Sequence, residues 1–199
     1  MDIIWHEKSS FTLKGKNATV VINPGKDGKK LSGDIVLSSL GTKTAKVEGA
    51  MKVFDWPGEY EVSDIPIIGY SAWTKSRSDE EENGSGDRTI LFYFEIEGIK
   101  ICHLGSLGHV LSSDVVNSLG DVDILMINAT EESNLTLKKI MEIVESIDPR
   151  AIIPMGDGNN QAFFKEVGVE NTEGDKRFSI KNPGELPDED RQIIILQKN

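Results

Sequence analysis

EGIKICHLGSLGH, residues 97–109, joins a Glu97-Gly98 turn to an alternating run and then to a glycine-rich corner flanked by His103 and His109. With the preceding TILFYFEI (89–96) it reads as a β-hairpin, because two runs of apolar, β-branched and aromatic residues flank a dipeptide whose glycine accepts positive φ. Outward from it, FTLKG (11–15), ATVVI (18–22), DIVLS (34–38), MKVFD (51–55) and IPIIGYSAW (65–73) read as earlier strands. The segments NPGKDGKK (23–30) and WPGEYE (56–61) separate them as turns. Downstream, DILMI (123–127), AIIP (151–154) and QIIIL (192–196) continue the series.

Helices are expected between these later strands. Leu137, Ile140, Met141, Val144 and Ile147 recur at helical spacing over residues 135–147 and form a core-facing stripe. A shorter helix starts at Ser112 or Ser113 as N-cap, carries Val115, Val116 and Leu119, and stops at Gly120. A third runs from Gln161 to Val167 and ends at Gly168. Strands first, then strands alternating with helices, imply a mixed α and β domain of two sheets with helices on their outer faces. The apolar-free segment 74–88, TKSRSDEEENGSGDR, reads as a mobile surface loop between two strands of one domain spanning residues 1–199.

Composition narrows the function classes. The chain has 199 residues, 38% hydrophobic and 28% charged, and a net charge of −11, as expected of a soluble domain with a sizeable core. Residues 1–60 hold nine lysines and seven acids, whereas the remainder holds thirteen basic and twenty-six acidic groups. Such a surface repels phosphate, which argues against nucleic-acid binding. Lys26, Lys29 and Lys30 read as a solvated turn. No apolar run approaches the roughly 20 residues that cross a bilayer, so no membrane span is expected. The lone Cys102 and a start without a basic, then apolar, leader point to the cytoplasm.

Catalytic motifs are sparse. A zinc site needs several His, Asp, Glu or Cys groups at about 2.0–2.3 Å from the metal, and only His6, His103 and His109 are present, none at short His-to-His spacing. Nucleophile-elbow, phosphate-loop and dinucleotide-binding glycine motifs are missing. Cys102 sits on a strand and reads as a buried thiol. His103 and His109 read as polar residues at a strand end, with metal binding beside carboxylates as the less favoured reading.

The order of segments resembles the small zinc-dependent hydrolases of the metallo-β-lactamase fold related to the ascorbate-phosphate lactonase type, from residue 4 to about residue 196. The stretches that carry the resemblance are FDWPGEYEV (54–62), EGIKICHLGSLGH (97–109), DVDILMI (121–127) and AIIPMGD (151–157). The resemblance implies a four-layer αββα sandwich. It also implies a metal site whose ligands this chain replaces. Lys8 stands where the family's first turn has a histidine, and Asn23 where its next strand ends in Ile-Asp-Pro. The histidine-rich ligand loop reads DIVLSSLGTKTAK, which puts Leu40, Thr42, Thr44 and Ala45 at four ligand positions. Ser106 replaces the bridging aspartate, Gly156 the histidine of Ile-Pro-Met-His, and Thr74 falls where a further histidine is expected.

Leu and Ala donate no lone pairs, and Ser and Thr hydroxyls are weak zinc ligands. Zinc is therefore expected in an active relative, and no cofactor is expected here. The sequence favours a pseudoenzyme, a binding or assembly module with an unknown protein or small-molecule partner, and homo-oligomerisation is compatible with it. Its residual pocket would draw on Asp55, Glu59, His103, His109 and Asp157, although each by itself reads more readily as a solvated polar residue; Trp56 and Trp73 read first as core tryptophans, with an interface as the less favoured role. The alternative is a metal-dependent hydrolase with relocated chemistry at His103 or His109 with Asp157.

Overall fold

The computed structural model describes residues 1–25, 30–40, 45–75 and 85–199. Its first strands are β1 (Asp2–Glu7), β2 (Ser10–Lys14), β3 (Thr19–Ile22), β4 (Ile35–Leu37) and β5 (Lys52–Phe54). Then come β6 (Gly58–Val62), β7 (Ile65–Lys75), β8 (Ser85–Ile96) and β9 (Ile99–His103). The helical half runs α1 (Ser113–Leu119), β10 (Ile124–Asn128), α2 (Leu137–Ile147), β11 (Ala151–Met155) and α3 (Gln161–Glu166). It closes with β12 (Phe178–Ser179), one 3₁₀ turn (Pro183–Glu185) and β13 (Gln192–Ile193).

Two mixed sheets result, ordered β12-β1-β2-β3-β4-β5 and β13-β11-β10-β9-β8-β7-β6. Glu97 and Gly98 both adopt positive φ, 55° and 79°, as a two-residue hairpin turn requires, and Ile96 pairs with Ile99 across it. The inward faces of both sheets meet in one apolar layer that includes Phe11, Leu13, Ile22, Leu37, Phe92, Phe94 and Met126. This is the sandwich expected from the sequence, with unequal outer layers. Among the described residues, all three α-helices bury their apolar sides against the second sheet, where Ile140, Ile143, Val144, Phe163 and Leu119 meet Leu91, Cys102, Leu125 and Ile152. Over the first sheet, Val21, Val36 and Val47 are covered by Leu31 and loop backbone.

Local signals explain most of the boundaries. Ser112, not Ser113, caps α1, its side chain accepting from Val115 N, and Thr136 caps α2 by accepting from Lys139 N. Ile143, off the stripe read from the sequence, is fully buried in α2, while Leu137 and Met141 are only half-buried. The segment read as a turn at 56–61 instead contains β6. Its Glu59 and Glu61 point to solvent while Tyr60 and Val62 turn inward, the alternation of an edge strand. Likewise β7 extends to Lys75 and β8 begins at Ser85, so both ends of the expected loop 74–88 are strand. Backbone pairing Lys75↔Ser85 needs no apolar side chains, and the remaining positions, 76–84, lie outside the described residues.

The C-terminal segment is held by Arg150. Its Nη1 donates to Asp123 Oδ1 at 3.2 Å and Pro183 O at 2.7 Å. Nη2 donates to Leu186 O at 2.6 Å and Asp188 Oδ1 at 2.8 Å, and Nε to Pro187 O at 3.1 Å. No helix among the described residues is long and apolar enough to cross a membrane.

Candidate functional site

A cleft of about 240 Å³ opens where the turn after β1 (Lys8, Ser9) meets the ends of β4 (Leu40), β9 (Gly105, Ser106), β10 (Asn128, Thr130, Glu132) and β11 (Met155–Asp157). The last four strands are parallel to a neighbour, and their C-terminal ends are where such sheets leave a crevice. Hydrogen bonds fix the rim. Lys8 N donates to Asp157 Oδ1 at 3.0 Å, while Gly156 N and Trp5 Nε1 both donate to Lys8 O at 3.0 Å. Asn23, at φ 46°, ties two rims together: its Oδ1 accepts from Ser39 N at 2.7 Å and its Nδ2 donates to Ser9 Oγ at 3.0 Å.

The floor carries a closure absent from the sequence reading. Asn128 Oδ1 accepts from both Thr130 N at 3.1 Å and Thr130 Oγ1 at 2.8 Å, an Asx turn directly after β10. A Cβ at Gly156 would lie 2.5 Å from Asn128 Oδ1 and 2.6 Å from Thr130 Cγ2, and Gly156 has φ 115°. Position 156 therefore has no room for a side chain. Asn128 and Thr130 were missed because their only signal is an Asn-x-Thr spacing after an apolar strand, which is common in any turn.

The five residues proposed for a residual pocket are not gathered in the cleft. Asp157 lines it. His103 lies fully buried behind it, its Nε2 donating to Ser9 O at 3.1 Å while its Nδ1 accepts from Gly105 N at 3.2 Å. An accepting Nδ1 makes Nε2 the protonated nitrogen, so the ring is neutral with both nitrogens engaged. Burial pushes its pKa down to about 4. His109 accepts from Trp73 N at Nε2 (3.3 Å) and faces Val110 O through Nδ1 (2.9 Å). Asp55 lies between β5 and β6, and Glu59 sits on the exposed side of β6. Of the other positions where the resemblance expects ligands, Leu40 and Ser106 line the cleft, Ala45 N donates to Pro24 O at 3.1 Å, and Thr74 lies in β7. Thr42 and Thr44 lie outside the described residues. Burial pushes the Cys102 thiol up to about 12, the mark of an inert thiol.

The donors facing the cleft are hydroxyls, one amide and the carboxylates of Glu132 and Asp157, with Lys8 among them. Lys198 Nζ stands 3.8 Å from Asp157 Oδ1. Among the described residues no three His, Cys, Asp or Glu side chains converge as metal ligands do. This donor set does not fit the zinc that the fold family implies, since zinc takes at least three imidazole, thiolate or carboxylate ligands from the protein.

Comparison with curated protein sequences found no match. Among solved structures, a candidate zinc-dependent hydrolase of the metallo-β-lactamase superfamily from Thermotoga maritima is 24% identical. It superposes with a TM-score of 0.79 over 98% of this chain and 99% of its own. A candidate metal-dependent hydrolase from Parabacteroides distasonis is 16% identical, with a TM-score of 0.64 over 98% of this chain and 93% of its own. Igni18, a metallo hydrolase from the archaeon Ignicoccus hospitalis, is 13% identical, with a TM-score of 0.64 over 90% of this chain and 99% of its own. These likenesses establish the fold, and residues 2–156 match the family model described as beta-lactamase superfamily domain. The two-sheet sandwich, its crevice at the parallel strand ends and that match together place the chain in the beta-lactamase superfamily, with the metallo-β-lactamase fold.

Proposed function

We propose that this chain is a non-catalytic member of its hydrolase-like family, a cytoplasmic binding or assembly module that works without a metal cofactor. The observation that carries this reading is the closure at Gly156, where Asn128 and Thr130 occupy the space a liganding side chain would need. Leu40 and Ser106 line the same cleft where the resemblance expects two further ligands. A hydrolase with relocated chemistry would need His103 or His109 as a base, yet both ring nitrogens of each are already engaged. The net charge of −11 disfavours nucleic acid as partner and leaves a protein or a small polar molecule.

Metal analysis of protein purified without chelator or histidine tag tests the reading. The expected content is below about 0.1 equivalent of zinc, manganese or iron, with no rise in thermal stability on adding zinc. A bound equivalent, or a stabilisation that saturates at one zinc per chain, overturns it.

A further inference from the structure

The exposed large apolar residues among those described are Leu40, Met51, Val53 and Trp56, and all four lie just after β4 or on and beside β5. Met51, Val53 and Trp56 are 60%, 53% and 65% exposed. Clustering of this kind on an otherwise polar surface marks an interaction site. Strand β5 also ends its sheet. Lys52 N donates to Asp34 O and Phe54 O accepts from Ser38 N, so positions 52 and 54 face β4. The N–H and C=O of Val53 therefore point away from β4 along an edge that no described strand pairs with.

Trp56 leads from this edge to Arg88. The Arg88 guanidinium carbon lies 5.2 Å from the Trp56 ring centroid and 5.7 Å from that of Trp73, with Trp73 and Arg88 paired across β7 and β8. The two indoles hold the cation by its faces. Its N–H groups have no ion pair or hydrogen bond among the described residues, and neither has Asp55, the carboxylate next to Trp56 in sequence. Trp and Arg are the residues that most often anchor protein contacts.

We propose that this surface is the interface of a two-fold symmetric dimer, with a second copy of the chain as its occupant. An isologous contact requires one patch to carry both halves of every pair. This one offers an apolar centre for its own copy and charges of both signs that are unpaired among the described residues, so Arg88 of one protomer meets Asp55 of the other. A two-fold axis beside β5 also brings the two edges together antiparallel, so that each Val53 backbone satisfies its counterpart. The proposal stands whether or not the cleft is catalytic, because none of these residues except Leu40 lines it.

Sedimentation equilibrium of the full chain tests the dimer. At about 100 μM the wild type is expected as a dimer that dissociates on dilution. Val53→Glu and Trp56→Glu are expected as monomers at that concentration, with circular dichroism unchanged because both positions are exposed. Arg88→Glu is expected to weaken association at least about tenfold. In the wild type, amide exchange across residues 51–56 should slow at high concentration and recover on dilution, a readout that needs no variant. A monomeric wild type overturns the second copy as occupant. A dimer of unchanged affinity in both Glu variants, or protection confined to other residues, overturns the surface.

Discussion

Gly156 combines φ 115° with a Cβ position 2.5 Å from Asn128 Oδ1. Gly156→His, the change that restores the residue the resemblance expects, is predicted to destabilise the fold by about 3 kcal/mol in urea denaturation, through overpacking and backbone strain, without creating zinc affinity. His103 gives a pH signature. Its folded pKa, about 4, lies below the 6.5 of an ordinary histidine, so the unfolded chain binds the proton more readily. The stability from the neutral ring is complete above pH 6.5 and is lost as pH falls toward 4, a loss on the order of 3 kcal/mol. Denaturation midpoints measured from pH 7 to 4.5 should fall more steeply in the wild type than in His103→Gln; parallel curves would refute the assignment. Sequence singled out both His103 and His109. Their roles were illegible there because the partners are backbone atoms of Ser9, Gly105, Trp73 and Val110, brought in by folding.

Elements that carry their own punctuation were legible. The Glu97-Gly98 turn, the Ser112 cap and Gly120 stop of α1, and the apolar stripe of α2 state their structure locally. Strand β6 was not, because a five-residue edge strand with two outward glutamates and a glycine looks like a turn until β7 is beside it. The segment after α3 was equally opaque, since what orders it is the guanidinium of Arg150, distant in sequence. Arg150→Lys retains the charge and loses the fork that reaches the carbonyls of Pro183, Leu186 and Pro187. The expected cost is about 2–4 kcal/mol, with amide exchange accelerated across residues 183–196 before the rest of the chain.

At the scale of the molecule, the family order of strands brought Leu40, Ser106 and the adjacent pair Gly156 and Asp157 to one cleft from three distant segments, so the location of the cleft was legible through the resemblance. The unequal outer layers were not, because they depend on how loops 30–34 and 45–50 cross the first sheet. Neither was the treatment of the long strand β7. Strand β6 pairs only with its residues 65–69, and farther along, Gly108 N donates to Trp73 O at 2.9 Å while His109 takes the Trp73 N–H. Gly108 permits this approach, since a Cβ there would collide with the Thr74 carbonyl. The corner between His103 and His109 thereby occupies backbone groups that would otherwise template growth of the sheet by other chains. His109→Ala would leave the Trp73 N–H at that edge without its acceptor, and the expected outcome is faster aggregation of the variant, read by light scattering at matched concentration.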